Sequence, residues 1–141
     1  MTDPPTDLFM QAVEEGLAGN TESVLRILDR IVDEHGVPML GGVIAGLGQI
    51  AAHALARLRP LGHGDMWATQ SLVPNLDDQD PGDLFAARYV VATANGDNDT
   101  ASALLRTEFA HAEPERIHQI VMGTFGLAIS LLRLVPTDTD R

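Results

Sequence analysis

Apolar side chains recur every three or four positions along most of the chain, which is the spacing of an amphipathic helix. Residues 21–35 show the pattern most clearly, because an apolar stripe there lies opposite a face of alternating arginines and carboxylates. The stripe consists of Val24, Ile27, Leu28, Ile31 and His35. No segment alternates apolar and polar residues with the period of two that a half-buried strand requires. The pattern therefore predicts an all-α protein.

The chain contains two related copies of one stretch of sequence. When the sequence is shifted by 76 residues, residues 7–60 lie on residues 83–136 without a gap, and 14 of the 54 aligned positions are identical. A His-x-x-Pro motif occurs once in each copy, at residues 35–38 and 111–114. An ungapped match of this length, with its turn residues aligned, indicates an internal duplication.

Each copy contains the signals for three helices. An Asp-Pro pair precedes the first helix, a Gly-Asn or Asn-Gly pair ends it, and the His-x-x-Pro motif joins the second helix to the third. The histidine complements the negative end of a helix dipole, and the proline in a first turn loses no hydrogen bond, so the motif is structural. We therefore expect one domain over residues 1–141. It is a six-helix bundle of two tandem three-helix repeats with approximate twofold symmetry, joined by a linker at residues 61–82.

The third predicted helix of each copy is its most apolar segment and carries glycines. These are Gly42, Gly46 and Gly48 in the first copy and Gly123 and Gly126 in the second. Each glycine lowers helix propensity by up to about 1 kcal/mol, so packing must offset the cost. We expect the two third helices to pair at the centre of the bundle, with close backbone contact at their glycines. Their charge-free runs are shorter than the ~20 apolar residues of a membrane span, which favours buried core helices.

The linker holds the residues that are most suggestive of a binding site. The sequence GHGDMW at residues 62–67 brings together His63, Asp65 and the only tryptophan of the chain, Trp67. An acid–base pair beside an aromatic ring suits a small ligand, so these three are the candidate ligand-binding residues. The sequence favours the alternative, in which Trp67 anchors the linker to the helices while His63 and Asp65 face solvent.

The first helix of the second copy is apolar on nearly every side. Arg88 is almost its only charge along a segment that includes Ala86, Tyr89 and Val90. A helix of this kind must be covered on nearly every side, and an outer helix of a six-helix monomer rarely is. We therefore expect Ala86, Tyr89 and Val90 to lie in the interface of a homodimer, since twofold dimers are the commonest assemblies.

Composition and motifs exclude several kinds of chemistry. The chain has no cysteine, and its nine basic residues are all arginines, which excludes thiolate sites, Schiff-base lysines and the lysine of a phosphate-binding loop. The five histidines lack the spacing of zinc ligands. The segment NGDNDT at residues 95–100 departs from a calcium loop and predicts a turn and a helix cap. No serine lies in a nucleophile elbow. We expect no catalytic residue, no metal site and no cofactor.

The net charge limits the partners that the protein can bind. It is −11, which disfavours nucleic acid and anionic lipid. The N-terminal stretch lacks the features of a signal peptide, so we expect a cytoplasmic protein, and arginine without lysine is typical of a GC-rich bacterial genome. The sequence favours a non-enzymatic helical interaction or regulatory module that self-associates. The alternative is a small-ligand-binding protein or an unorthodox enzyme, with a pocket between the third helices or under residues 62–67.

Overall fold

The computed structural model describes residues 4–58, 67, 80–111 and 113–135. Within these residues the chain forms six α-helices and no strand, which confirms the all-α prediction. The helices are α1 (Pro5–Leu17), α2 (Thr21–His35), α3 (Met39–Leu58), α4 (Pro81–Ala94), α5 (Asn98–His111) and α6 (Pro114–Leu134). The His-x-x-Pro motifs lie at the junctions α2–α3 and α5–α6, as predicted.

The helix boundaries follow the 76-residue offset between the copies. Shifted by 76 residues, α1 falls on residues 81–93, α2 on residues 97–111 and α3 on residues 115–134, which is within one residue of α4, α5 and α6 at every boundary. The two halves of the sequence therefore have helices in the same order and of nearly the same length. The approximate twofold symmetry of their packing stays a prediction.

The helix starts differ in how their free backbone groups are satisfied. Asp80 caps α4, because its carboxylate accepts a hydrogen bond of 3.1 Å from the backbone nitrogen of Gly82. The carbonyl of Asn20 accepts the first helical bond of α2, so Asn20 is its N-cap. The Asn20 side chain donates instead to Glu15 Oε2 at 2.7 Å.

The segment NGDNDT forms the turn between α4 and α5, as the sequence predicted. Gly96 has a φ of 74°, a left-handed conformation that suits glycine at the end of a helix. Asp97 caps α5 by accepting hydrogen bonds from the backbone nitrogen of Thr100 at 3.2 Å and from its hydroxyl at 2.6 Å. These hydrogen bonds lower the pKa of the Asp97 carboxyl. The residues that resemble calcium ligands therefore serve the local fold.

The chain divides into two compact units, and the boundary falls inside α3, between Ala45 and Gly46. The units are therefore not identical with the two sequence copies. In the first unit, α1 and α2 pack along each other. Their buried residues are Leu8, Ala12, Val13, Val24, Ile27, Leu28 and Ile31. These include four members of the stripe predicted for α2, whereas its fifth member, His35, is partly exposed.

In the second unit α4 is packed against both α6 and α5. Its buried residues lie on nearly every side of the helix and are Gly82, Phe85, Ala86, Ala87, Tyr89, Val90, Val91 and Ala92. The buried face of α6 supplies Ile117, Ile120, Val121, Thr124, Phe125, Ala128, Ile129 and Leu131. The first helix of the second copy, α4, is therefore the centre of this unit.

The close glycine contacts of the second unit converge on α4. A Cβ atom built on Gly123 of α6 would collide with the carbonyl group of Gly82, and one built on Gly48 of α3 would lie 2.6 Å from Cε1 of Tyr89. A Cβ atom on Gly126 would meet no atom within 4 Å. The expected backbone contact with α3 was therefore wrong for Gly123, which lies against α4, and for Gly126, which faces open space.

Helices α3 and α6 are 20 and 21 residues long and are apolar enough to cross a membrane by length and composition. In each helix 44% of the most apolar window is buried inside the folded chain. Core helices of soluble proteins reach the same length and hydropathy, so these properties do not separate a core helix from a span. The cytoplasmic location and the absence of a membrane partner stay predictions.

Candidate functional site

Of the three residues predicted to bind a ligand, Trp67 is described, whereas His63 and Asp65 lie outside the described residues. Trp67 is half-buried, and the side-chain amide of Asn95, at the end of α4, holds its backbone. The Trp67 nitrogen donates to Asn95 Oδ1 at 2.7 Å, and Asn95 Nδ2 donates to the Trp67 carbonyl at 2.9 Å. This pair of hydrogen bonds supports the interpretation of Trp67 as an anchor of the linker.

The three residues predicted for a dimer interface are buried within the chain itself. Ala86 and Val90 are 0% exposed and Tyr89 is 6% exposed. Tyr89 also stacks on Phe85 with their ring centroids 5.6 Å apart, and burial raises the pKa of its hydroxyl. The packing of α6 and α5 against α4 supplies the cover that the sequence argument assigned to a second copy. These three side chains are not on the surface, so they are not available for an interface with a second copy. The homodimer itself stays a prediction.

A polar pocket opens between the C-terminal half of α5 and the N-terminal half of α6. Its volume is about 560 Å³, which lies in the range of small-molecule and side-chain binding sites. The lining residues are Thr107, Glu108, His111, Glu113, Glu115, Arg116 and Gln119. The pocket lies at the helix junction, because its lining residues come from the C-terminal half of α5 and from the start of α6.

A bidentate ion pair forms one wall of the pocket and connects the two helices. Arg116 Nη2 donates to Glu108 Oε1 at 2.7 Å, and Arg116 Nε donates to Glu108 Oε2 at 3.0 Å. Both side chains are more than two-thirds buried. The hydrogen bonds lower the pKa of the Glu108 carboxyl and raise the pKa of the Arg116 guanidinium. The parallel arrangement of two bonds fixes the orientation of both groups.

The other charges of the pocket are carboxylates. Among the described residues, the side chains of Glu113 and Glu115 have neither a hydrogen bond nor an ion pair, and both are exposed. The N-terminus of α6 stabilises negative charge at these positions through its dipole. Since Arg116 is already paired with Glu108, the lining as a whole carries three carboxylates and one guanidinium. The pocket is therefore negative and presents acceptors to the solvent.

This pocket was not predicted from the sequence. His111 is close in sequence to Glu108, Glu113 and Glu115, but these residues do not have the spacing of metal ligands. Over the part of the chain that the structure describes, no group of three or more His, Asp or Glu residues could hold a metal ion. The feature of the sequence that could have indicated the ion pair is the opposite charge of Glu108 and Arg116, which are eight residues apart on two different helices.

The buried polar side chains among the described residues of the second unit have hydrogen-bond partners. Thr124 is the one polar residue among the described ones that is fully buried, and its hydroxyl donates to the carbonyl of Ile120 at 2.7 Å. No buried side-chain nitrogen or oxygen of the described residues lacks a hydrogen-bond partner. Comparison of the chain with protein-family models, with curated proteins and with solved structures finds no match.

Proposed function

We propose that this protein is a non-enzymatic helical interaction module and that the pocket between α5 and α6 receives a cationic side chain of a basic protein partner. The observation that carries the proposal is the negative pocket at the helix junction. There, the unpaired carboxylates of Glu113 and Glu115 lie beside a guanidinium that Glu108 already neutralises. A lysine or arginine of a partner would supply the donors that these acceptors lack.

The ion pair between Glu108 and Arg116 supports this function by giving the pocket a fixed wall. A preformed wall lowers the entropic cost of binding, because the partner does not have to order both helices. The same pairing withdraws the positive charge of Arg116 from the surface, so an approaching cation meets little repulsion. The pocket therefore combines a constant shape with a negative potential.

The charge of the whole chain favours the same class of partner. A net charge of −11 creates a negative potential that attracts a basic protein over a distance of roughly the Debye length, about 8 Å at physiological ionic strength. Attraction of this kind raises the rate of association more than it raises the final affinity. We assign the affinity to the pocket and the rate of encounter to the overall charge.

A peptide titration separates these two contributions. A short, fluorescently labelled oligoarginine peptide is titrated with the protein, and its anisotropy is measured at low and at physiological salt. The double variant Glu113→Gln with Glu115→Gln is expected to weaken binding by roughly tenfold, since each exposed carboxylate contributes about 0.5–1 kcal/mol to an ion pair and about 1.4 kcal/mol corresponds to tenfold in affinity.

The matched control removes the same two charges from the outer surface of α2. The variant Glu22→Gln with Asp29→Asn, both exposed residues, is expected to weaken binding by less than about twofold, and only at low salt. Equal losses of affinity in the two double variants would show that the peptide responds only to the net charge of the protein. That result would contradict the pocket as the binding site.

The volume of the pocket supports a second candidate function, the binding of a small organic cation. A space of about 560 Å³ accommodates a polyamine as well as a side chain. Competition with spermidine distinguishes the two candidates. Displacement of the peptide by a low concentration of spermidine would favour the small ligand, and displacement only at concentrations that act through ionic strength would favour the protein partner.

Self-association and a cytoplasmic location belong to the same proposal. An interaction module of this size gains surface by dimerising, and its exposed large apolar residues offer area for a contact; they include Met10, Leu17, Val37 and Leu134. Light scattering over a range of protein concentrations tests the assembly. A monomer at every concentration would remove self-association from the proposal and leave the pocket unaffected.

A further inference from the structure

Asn95 combines a structural role with an unusual position in the sequence. Its side-chain amide holds both the nitrogen and the carbonyl of Trp67, and it is the only asparagine of the chain that precedes a glycine. We propose that Asn95 is a site of spontaneous deamidation and that the reaction detaches the Trp67 backbone from the end of α4. This proposal is independent of the pocket between α5 and α6.

The attachment of Trp67 depends on a carboxamide. The Asn95 side chain accepts a hydrogen bond at Oδ1 and donates one from Nδ2, so it matches the donor and the acceptor of one backbone residue. A carboxylate has only acceptors. In the deamidated protein the Trp67 carbonyl therefore loses its donor and faces a negatively charged oxygen, which repels it.

The glycine after Asn95 makes the reaction sterically accessible. Gly96 has no Cβ, so its backbone nitrogen can approach Cγ of Asn95 when the turn opens. A bond forms between that nitrogen and Cγ while the bond from Cγ to Nδ2 breaks, and ammonia leaves with the proton that the Gly96 nitrogen gives up. Water then opens the cyclic imide at one of its two carbonyls and produces aspartate or isoaspartate.

The folded turn controls when this reaction occurs. The Gly96 nitrogen donates to the carbonyl of Thr93 at 3.1 Å, and the amide group of Asn95 is occupied by Trp67. Attack therefore requires the last turn of α4 to open and Trp67 to leave. The deamidated side chain cannot re-form both hydrogen bonds to Trp67. The opening of the turn is reversible before the reaction and permanent after it.

The first copy of the duplicated sequence lacks this device. Its corresponding turn has the reversed order, Gly19-Asn20, so the residue that follows Asn20 is Thr21. The Asn20 amide donates to the side chain of Glu15, whereas the Asn95 amide binds the backbone of Trp67. The site is therefore particular to the turn between α4 and α5, and Asn20 provides an internal reference.

The proposal is tested by ageing the folded protein at mildly alkaline pH and following two signals. Peptide mapping by mass spectrometry measures conversion of Asn95, with Asn20 and Asn98 as references, and the emission of Trp67, the only tryptophan, reports its surroundings. We expect Asn95 to convert first and the emission to shift to longer wavelength in step with the conversion. Retention of the Asn95 amide in the folded protein, or conversion without a shift of the emission, overturns the proposal.

Two variants isolate the chemical step from ageing in general. Asn95→Asp should show the shifted emission at once and faster hydrogen exchange at the Trp67 nitrogen, while circular dichroism checks that the helices persist. Asn20→Asp adds the same charge at the corresponding turn and should leave both signals unchanged. An Asn95→Asp protein with helices, emission and exchange all like the parent would show that the carboxamide does not hold Trp67.

Discussion

Gly123 of α6 lies directly against the backbone of Gly82 at the start of α4. A Cβ atom on Gly123 would overlap the Gly82 carbonyl, and one on Gly82 would overlap the carbonyl oxygen of Gln119. The corresponding positions of the first copy are Thr6 and Leu47, so that copy has no such glycine pair. The close contact between α4 and α6 therefore distinguishes the second copy from the first.

We expect Gly123→Ala to lower the free energy of unfolding by about 1–3 kcal/mol, because the added methyl group meets a rigid backbone rather than a flexible side chain. Gly126→Ala, three residues further along the same helix, is the matched control. Its Cβ enters open space, so it is expected to stabilise the helix by about 0.5–1 kcal/mol. Urea denaturation measures both. Equal effects of the two variants would contradict the backbone contact.

We expect Glu108→Gln to lower the free energy of unfolding by about 1 kcal/mol near neutral pH, because it breaks a bidentate ion pair that connects α5 to α6. Glu34→Gln is the control, since Glu34 pairs with Arg30 at 3.4 Å on the exposed face of a single helix, α2. This substitution should change the free energy of unfolding by less than about 0.5 kcal/mol. A larger loss from Glu34→Gln than from Glu108→Gln would contradict the role of the bridge.

The same pair predicts a dependence of stability on pH. Its hydrogen bonds lower the pKa of Glu108 in the folded state, so the folded state favours the ionised carboxylate. The stabilisation is therefore complete above the ordinary glutamate pKa of about 4.3 and is lost as the pH falls through the lowered pKa of the folded protein. Urea denaturation at a series of pH values should show the parent and Glu108→Gln curves converging in acid. Curves that stay parallel would disprove this linkage.

Thr124 offers a test of whether a buried hydroxyl stabilises the second unit. Its hydroxyl donates to the Ile120 carbonyl, which also belongs to the hydrogen-bond ladder of α6. Thr124→Val fills nearly the same space and leaves no buried group without a partner, so we expect a change of less than about 1 kcal/mol. Thr124→Ala leaves a cavity and should cost about 1–2 kcal/mol. If thermal denaturation shows that Thr124→Val loses more stability than Thr124→Ala, the hydroxyl has a further role.

The burial of Val90 gives a prediction about assembly. Because this side chain is 0% exposed within one chain, Val90→Ala is expected to cost about 2 kcal/mol and to lower Tm by the same amount at every protein concentration. Arg88→Ala, on the exposed side of α4, is the control and should have little effect. A Tm change for Val90→Ala that depends on concentration would place Val90 at an interface between chains.

Much of the local structure could be predicted because its causes are local. The apolar stripe of α2 repeats with the helical period, so Ile27 and Ile31 were recognised as core residues before any packing was known. Asp80 and the prolines at the start of α4 and α6 mark helix starts through their own backbone chemistry. The 76-residue offset is visible in the sequence and recurs in the helix boundaries.

The candidate site could not be predicted in the same way, because its members interact across a helix junction. Glu108 and Arg116 are on α5 and α6, and their pairing depends on the angle at which the junction turns the chain. The attachment of Trp67 to Asn95 spans 28 residues and depends on the path of the linker. Periodicity describes one helix at a time and contains neither kind of information.

The sequence by itself determined the helices: where they begin and end, which faces are apolar, and that the series occurs twice. The tertiary structure decided which helix is central, since nothing in the pattern distinguishes a helix covered by its own chain from one covered by a second copy. Two glycines let α6 approach α4 through the backbone, and the residues assigned to a dimer interface are buried within the chain itself. Burial depends on the sum of contacts from distant segments, whereas helix formation depends mainly on neighbours within a few residues.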